Sequence, residues 1–257
     1  VLWSLALLLP IAALIGRCGA LRRALADRRL LAQLGASSAL IAANWLVYVW
    51  AVFNGHVLAA SLGYFLNPLI NVALGTIVLK ERLTRGQAVA VGLAALGVAV
   101  LAVEASDGLW ISLALALSFG LYGLVRKMAA VESLEGLTIE TALLAPFGLA
   151  YLAWLSATGG IAFGGGVGIS LLLVLAGAVT ATPLLLFAAA ARRIRYSTLG
   201  LLQYLAPSIQ FVLAITVFGE ALEPAQLACF ALIWTACVVY ALSSLSEHRR
   251  VQAARPA

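Results

Sequence analysis

Nine apolar runs, each about 16 to 24 residues long, follow one another along the chain with only short breaks between them. They cover approximately residues 1–16, 34–53, 58–79, 88–103, 109–125, 140–157, 167–191, 198–218 and 227–245. A helix needs ~20 residues to cross the ~30 Å hydrocarbon layer, so each run is a candidate span. None alternates with the period of two that a barrel strand requires. With 64% hydrophobic and 10% charged residues among 257, the chain holds more apolar surface than one soluble core could hide. The expected class is an all-α membrane protein with nine transmembrane helices.

The basic residues give the orientation. Arg17, Arg22, Arg23, Arg28 and Arg29 follow run one; Lys80, Arg82 and Arg85 follow run three; Arg126 and Lys127 follow run five. Arg192, Arg193 and Arg195 follow run seven, and Arg249, Arg250 and Arg255 follow run nine, so all 16 Lys and Arg fall in alternate connections. By the positive-inside rule that side is cytoplasmic, and the C-terminus with it. A formal charge of +6 would suggest nucleic acid in a soluble protein, but this placement accounts for it without such a partner. The partners expected are membrane lipid and a small-molecule solute.

A polar skeleton occurs twice. Ser61, Tyr64, Pro68, Asn71, Glu81, Leu83 and Gln87 line up, at one offset of 139, with Gly200, Gln203, Pro207, Gln210, Glu220, Leu222 and Gln226. Positions 61, 64, 68 and 71 form one stripe on a helix. The loop 80–87 is basic, whereas its copy, 219–226, carries Glu220 and Glu223, so the two copies enter the membrane from opposite sides. Inverted repeats of this kind mark secondary transporters. Run one, with no charged n-region or cleavage site, does not read as a signal peptide. Its Ala6 to Pro10 match Ala142 to Pro146 of run six, which leaves run five without a mate. The expectation is therefore a ten-span, inverted five-helix repeat architecture in which this chain lacks the first helix: residues 1–104 hold helices 2–5 and residues 105–257 hold helices 6–10.

Individual residues keep alternative readings. Asn44 makes either an interhelical hydrogen bond or a solute contact. Pro68, Pro183 and Pro207 weaken or break helices and free carbonyls that protein, water or ligand must satisfy. Glu81 reads as a solvated surface acid between Lys80 and Arg82, and Thr84 with Gln87 as a capping box. Ala88, Gly92, Ala95 and Ala99 read as a face for close helix contact. Arg126, on the α-helical stripe of Ser118 and Tyr122, reads as a snorkelling anchor. Glu140 is either a functional acid entering a span or a first-turn carboxylate favoured by the helix dipole. The spans otherwise lack Asp, Glu, Lys and Arg, so a relay of carboxylates is not expected. Cys18, Cys229 and Cys237 lack metal or redox spacing, and both His lie in connections; neither metal nor cofactor is expected.

At Asn44-Trp45, Ser61-Leu62-Gly63-Tyr64-Phe65, Asn67-Pro68 and Tyr122-Gly123-Leu124-Val125-Arg126-Lys127, the chain resembles the RarD-type permeases of the EamA branch of the drug/metabolite transporter superfamily. Ser197 to Gly200, Gln203-Tyr204 and Pro207 extend the resemblance into the second half. It implies an inner-membrane carrier, with Asn44, Trp45, Tyr64, Asn67, Asn71, Tyr122, Gln203 and Tyr204 lining the solute cavity and Glu140 added from its position. The function expected is a secondary transporter of a small neutral or zwitterionic solute or drug, working by alternating access. The alternatives are an intramembrane enzyme acting on a lipid or isoprenoid substrate, which would need acid/base or metal residues at the membrane surface where the clustered acids Glu220 and Glu223 read better as loop and cap residues, and a structural protein, which would not need the repeated stripe.

Overall fold

The computed structural model describes residues 1–104, 108–217 and 224–253, so Glu220 and Leu222 of the second skeleton, and Glu223 of its loop, lie outside the described residues. The regular elements among them are α-helices: α1 (Leu2–Leu14), α2 (Cys18–Ala26), α3 (Arg28–Phe53), α4 (Val57–Ile77), α5 (Arg85–Glu104), α6 (Leu109–Met128), α7 (Ser133–Ala157), α8 (Val167–Arg193), α9 (Tyr196–Leu202), α10 (Leu205–Thr216) and α11 (Pro224–Ala253). Seven of these, α3 to α8 and α11, are long and apolar enough to cross a membrane. An eighth span results if α1 and α2, bent by 115° at their junction, are taken together.

Local chemistry sets several boundaries. Thr84 accepts from the Gln87 backbone N–H at 3.3 Å while the Gln87 side chain accepts from the Thr84 N–H at 2.9 Å, the reciprocal capping box expected at the start of α5. Pro224 opens α11, where its missing N–H would have been unpaired in any case. Run eight is not one helix but two, interrupted at Gln203 and Tyr204. Pro207 has no N–H, and its ring excludes the carbonyl four residues back, which is that of Gln203. The chain responds with tighter turns: the Gln203 N–H donates to the Gly200 carbonyl at 3.0 Å and the Tyr204 N–H to that of Leu201 at 3.2 Å. Pro68 and Pro183, by contrast, lie inside α4 and α8, which continue through them.

The chain forms two compact units. One comprises Val1–Ala42 with Leu121–Arg193, the other Ala43–Gly120 with Ile194–Ala257. In the first, α1 packs on α7 and α8. Gly177 permits the close approach, since a Cβ there would lie 2.5 Å from the Trp3 Cβ, and the Ser4 hydroxyl donates to the Gly177 carbonyl at 3.1 Å. In the second, α4 packs on α9 and α5 runs along α11.

The face of α5 that packs is not the one read from the sequence. Ala90, Ala94, Val98 and Leu101 are buried, and a Cβ on Gly97 would come within 3.0 Å of the Cys229 carbonyl. Ala88, Gly92, Ala95 and Ala99 are exposed instead. Small residues surround this helix on every side, so composition could not choose the face. Elsewhere Phe53, Ile77, Phe147, Val167 and Leu186 project outward, as side chains do when the surrounding solvent is hydrocarbon.

Candidate functional site

Polar side chains of α4 and of the α9 end meet at the interruption at Gln203. Asn71 of α4, fully buried, donates its amide N–H to the side-chain oxygen of Gln203 at 2.5 Å, joining residues 132 positions apart. The backbones come close enough because Gly200 faces the Pro68 carbonyl, where a Cβ would sit 2.7 Å away. Gly120 gives the Asn71 side-chain oxygen its room in the same manner, at 3.2 Å. The side-chain oxygens of both Asn67 and Asn71 are buried without a hydrogen-bond partner. An unsatisfied buried carbonyl costs about 1–3 kcal/mol, so two in one cluster demand a reason.

Tyr204, on the other side of the break, is buried and donates its hydroxyl to the Phe65 carbonyl at 3.2 Å. It also lines an apolar cavity of about 460 Å³ with Leu201, Leu205, Trp234, Cys237 and Tyr240. Asn44 donates to the Leu115 carbonyl and to the Ser118 hydroxyl, each at 2.9 Å, which realises the interhelical reading of this residue. Trp45, Tyr48 and Tyr64 form an aromatic chain, with ring centroids 6.4 and 5.8 Å apart, and Trp45 and Tyr64 remain about half exposed.

Glu81 corrects the expectation of a solvated acid. Its two carboxylate oxygens accept the backbone N–H groups of Tyr196 and Ser197, at 2.7 and 2.9 Å, and so close the N-terminal end of α9. Gly75 lies beneath it, with a Cβ position 2.9 Å from Oε2. The anchored Tyr196 is itself buried and donates to the Gly120 carbonyl at 2.6 Å. Glu81 thus fixes the start of the short helix whose other end presents Gln203.

The remaining two site residues, Tyr122 and Glu140, lie in the first unit and form a separate, ionic cluster. Helix α7 begins at Ser133, so Glu140 stands about two turns inside it, not in the first turn where the dipole would explain an acid. It is 1% exposed, accepts a 2.5 Å hydrogen bond from the Ser37 hydroxyl, and lies 3.6 Å from the Nε of Arg126. Arg126 does not snorkel: it is fully buried, and its Nη2 donates to the Ser133 carbonyl at 3.1 Å. Its guanidinium occupies the space a side chain at Gly136 would need, since a Cβ there would lie 1.9 Å from Nη1. The phenol of Tyr122, also fully buried, interacts with both members of the pair and stacks on Phe187 at 6.3 Å.

Arg126, Ser37, Gly136 and Glu81 were not among the site residues read from the sequence. Arg126 had a usable signal, four residues after Tyr122 on one helix face, whereas Ser37 lies 103 positions from Glu140 and no local pattern marks it.

Helices with outward apolar faces around hydrogen-bonded and ionic interiors define a multi-pass membrane protein. Comparison with known proteins gives the family. The chain is 45% identical over 252 residues to Protein RarD of Streptomyces exfoliatus, covering 98% of this chain and 80% of that protein. It is 41% identical over 251 residues to Protein RarD of Escherichia coli, covering 97% and 85%, and 50% identical over 220 residues to an uncharacterized transporter of Pseudomonas aeruginosa, covering 85% and 74%. A solved structure at 18% identity shares the fold, with a TM-score of 0.68 over 93% of this chain and 84% of that one. No family model matches the chain. The chain belongs to the RarD-type permeases and is a membrane transporter.

Proposed function

We propose that the protein is a secondary transporter of the bacterial inner membrane that moves a small neutral or zwitterionic organic solute by alternating access of two inverted repeats, residues 1–104 and 105–257. The observation that carries the reading is the amide cluster at the helix interruption, with two buried oxygens that have no partner of their own. Interrupted helices with polar residues at the break are how carriers build solute sites within a membrane. Amides, phenols and an indole, the groups of Asn67, Asn71, Gln203, Tyr64, Tyr204 and Trp45, suit uncharged donors and acceptors better than an ion. Pairing of repeat mates supports the two-fold relation: α4 packs on α9, and Tyr204 bonds the carbonyl of Phe65, its own mate at an offset of 139. A relative from Pseudomonas aeruginosa, 33% identical over 217 residues, is named a chloramphenicol-sensitive protein. Chloramphenicol therefore belongs in the first panel of solutes.

The test is flux in proteoliposomes of purified protein against chloramphenicol and a set of neutral and zwitterionic amino acids. Saturable flux of at least one, above that of empty vesicles, is the expected result; none above background would reject the solute class. Reporter fusions after Gly160 and Met128 test the orientation. The first is expected outside and the second in the cytoplasm.

A further inference from the structure

Arginine–carboxylate pairs are frequently bidentate, with two parallel charge-assisted hydrogen bonds. The pair in the first unit is not. Arg126 approaches Glu140 through Nε alone, at 3.6 Å, and neither Nε nor Nη1 makes a hydrogen bond. Both side chains are nevertheless sealed from solvent. The carboxylate is held at ion-pair distance from its counter-charge, and its short bond comes instead from the neutral Ser37 hydroxyl.

Among the described residues here, Glu140 is the buried acid that takes no hydrogen bond from a cation. From α3 come Ser37 and Ser38, both hydroxyls; from α6 come Tyr122 and Arg126. On α7 itself, Glu135 is already paired with Arg17 at 3.3 Å. From α8, Phe187 covers Tyr122 while Arg192 pairs with Glu132 at 3.3 Å, and Lys127 donates to the Ala191 carbonyl. Helix α1 has no titratable side chain, and Arg22 and Arg23 of α2 are exposed.

We propose that Glu140 is the proton-carrying site that couples this transporter to the proton gradient. The inference rests on the transport reading above and adds the coupling ion to it. A hydronium ion gives one proton to a carboxylate oxygen of Glu140 and leaves as water, and the pair passes from neutral to a net charge of +1. Protonation cancels the attraction that the buried Arg126 relies on, and an uncompensated buried guanidinium is unfavourable. The loaded state is then biased towards a conformation in which Arg126 meets water or an anion, and loss of the proton reverses the bias. One ionisable group inside a span suffices for this, and no relay of carboxylates is involved.

Two experiments test it. In proteoliposomes holding a pH-sensitive dye, an imposed gradient of whichever panel solute the wild type moves is expected to drive protons, and E140Q to reduce the ratio of protons to solute to zero. Equal ratios in the two proteins, or solute movement without protons in the wild type, overturn the proposal. Wild-type protein that moves no panel solute counts against the transport reading instead. Where E140Q moves no solute or does not fold, the second experiment decides on wild-type protein alone. Dicyclohexylcarbodiimide adds covalently to protonated carboxyls in apolar surroundings, and the Glu140 adduct, located by mass spectrometry, is expected to increase several-fold as pH falls. Its absence at every pH, or a yield independent of pH, overturns the proposal.

Discussion

Arg126→Met is expected to lower stability by about 3–5 kcal/mol, because it leaves Glu140 charged, buried and without its counter-ion. Combining it with Glu140→Leu is expected to restore most of that loss: with both charges gone, neither has to be desolvated, and an apolar pair of similar volume is often as stable as the ion pair it replaces. The pair of variants separates charge from packing. If the double variant is as unstable as the single one, the guanidinium acts by filling the space over Gly136. Thermal unfolding in detergent, with the fraction of monodisperse protein as a second readout, makes the comparison. The coupling energy follows from the double-mutant cycle.

Asn71→Leu is expected to abolish flux of the panel solute and to lower stability by about 1–3 kcal/mol, since it removes the partner of the part-buried side-chain oxygen of Gln203. Adding Gln203→Leu removes the stranded group as well. Stability should then return towards that of the wild type while flux stays at least roughly tenfold down, because a solute would still lack its hydrogen-bonding partners. Recovery of flux together with stability would show that the amide pair only joins α4 to the end of α9, and would remove it from the solute site.

These two clusters differ in how far they could be read from the residues. The stripe of Tyr64, Asn67 and Asn71 was visible because helical spacing places polar groups on one face of an apolar rod, and a second copy reappears at Gln203. That Asn71 and Gln203 would touch was not visible, since repeat equivalence relates Asn71 to Gln210, not to Gln203. The spans themselves follow from apolar length, whereas the break within run eight depended on which carbonyl Pro207 would displace. The ionic cluster was half legible. Glu140 stood out as an acid in apolar sequence, but the start of α7 was placed too late, because Ser133 to Ile139 carry polar residues that helix propensity alone does not exclude. Arg126 and Glu81 were misread for one reason: a charged residue near a membrane surface is ordinarily solvated, and only the tertiary fold shows that Glu81 caps a distant helix and that Arg126 lies over a glycine. The face of α5 failed for another reason, as a helix with small residues all round offers several equivalent faces to a partner.

The partnership of α5 with α11 has a consequence for how the chain is made. Ala90, Ala94 and Val98 are complete when the ribosome reaches Glu104, yet the helix that covers them begins only at Pro224, about 120 residues later. At ~5–20 residues per second, that face waits roughly 6–24 s for α11 while helices α6 to α10 are being made. During that interval α5 has α4 beside it but not α11, and its uncovered face is available to any insertion factor or quality-control protease that recognises an unpartnered helix surface. Chains released before α11 is synthesised keep this exposed seam permanently, and their lifetime in the cell is set by how quickly it is recognised.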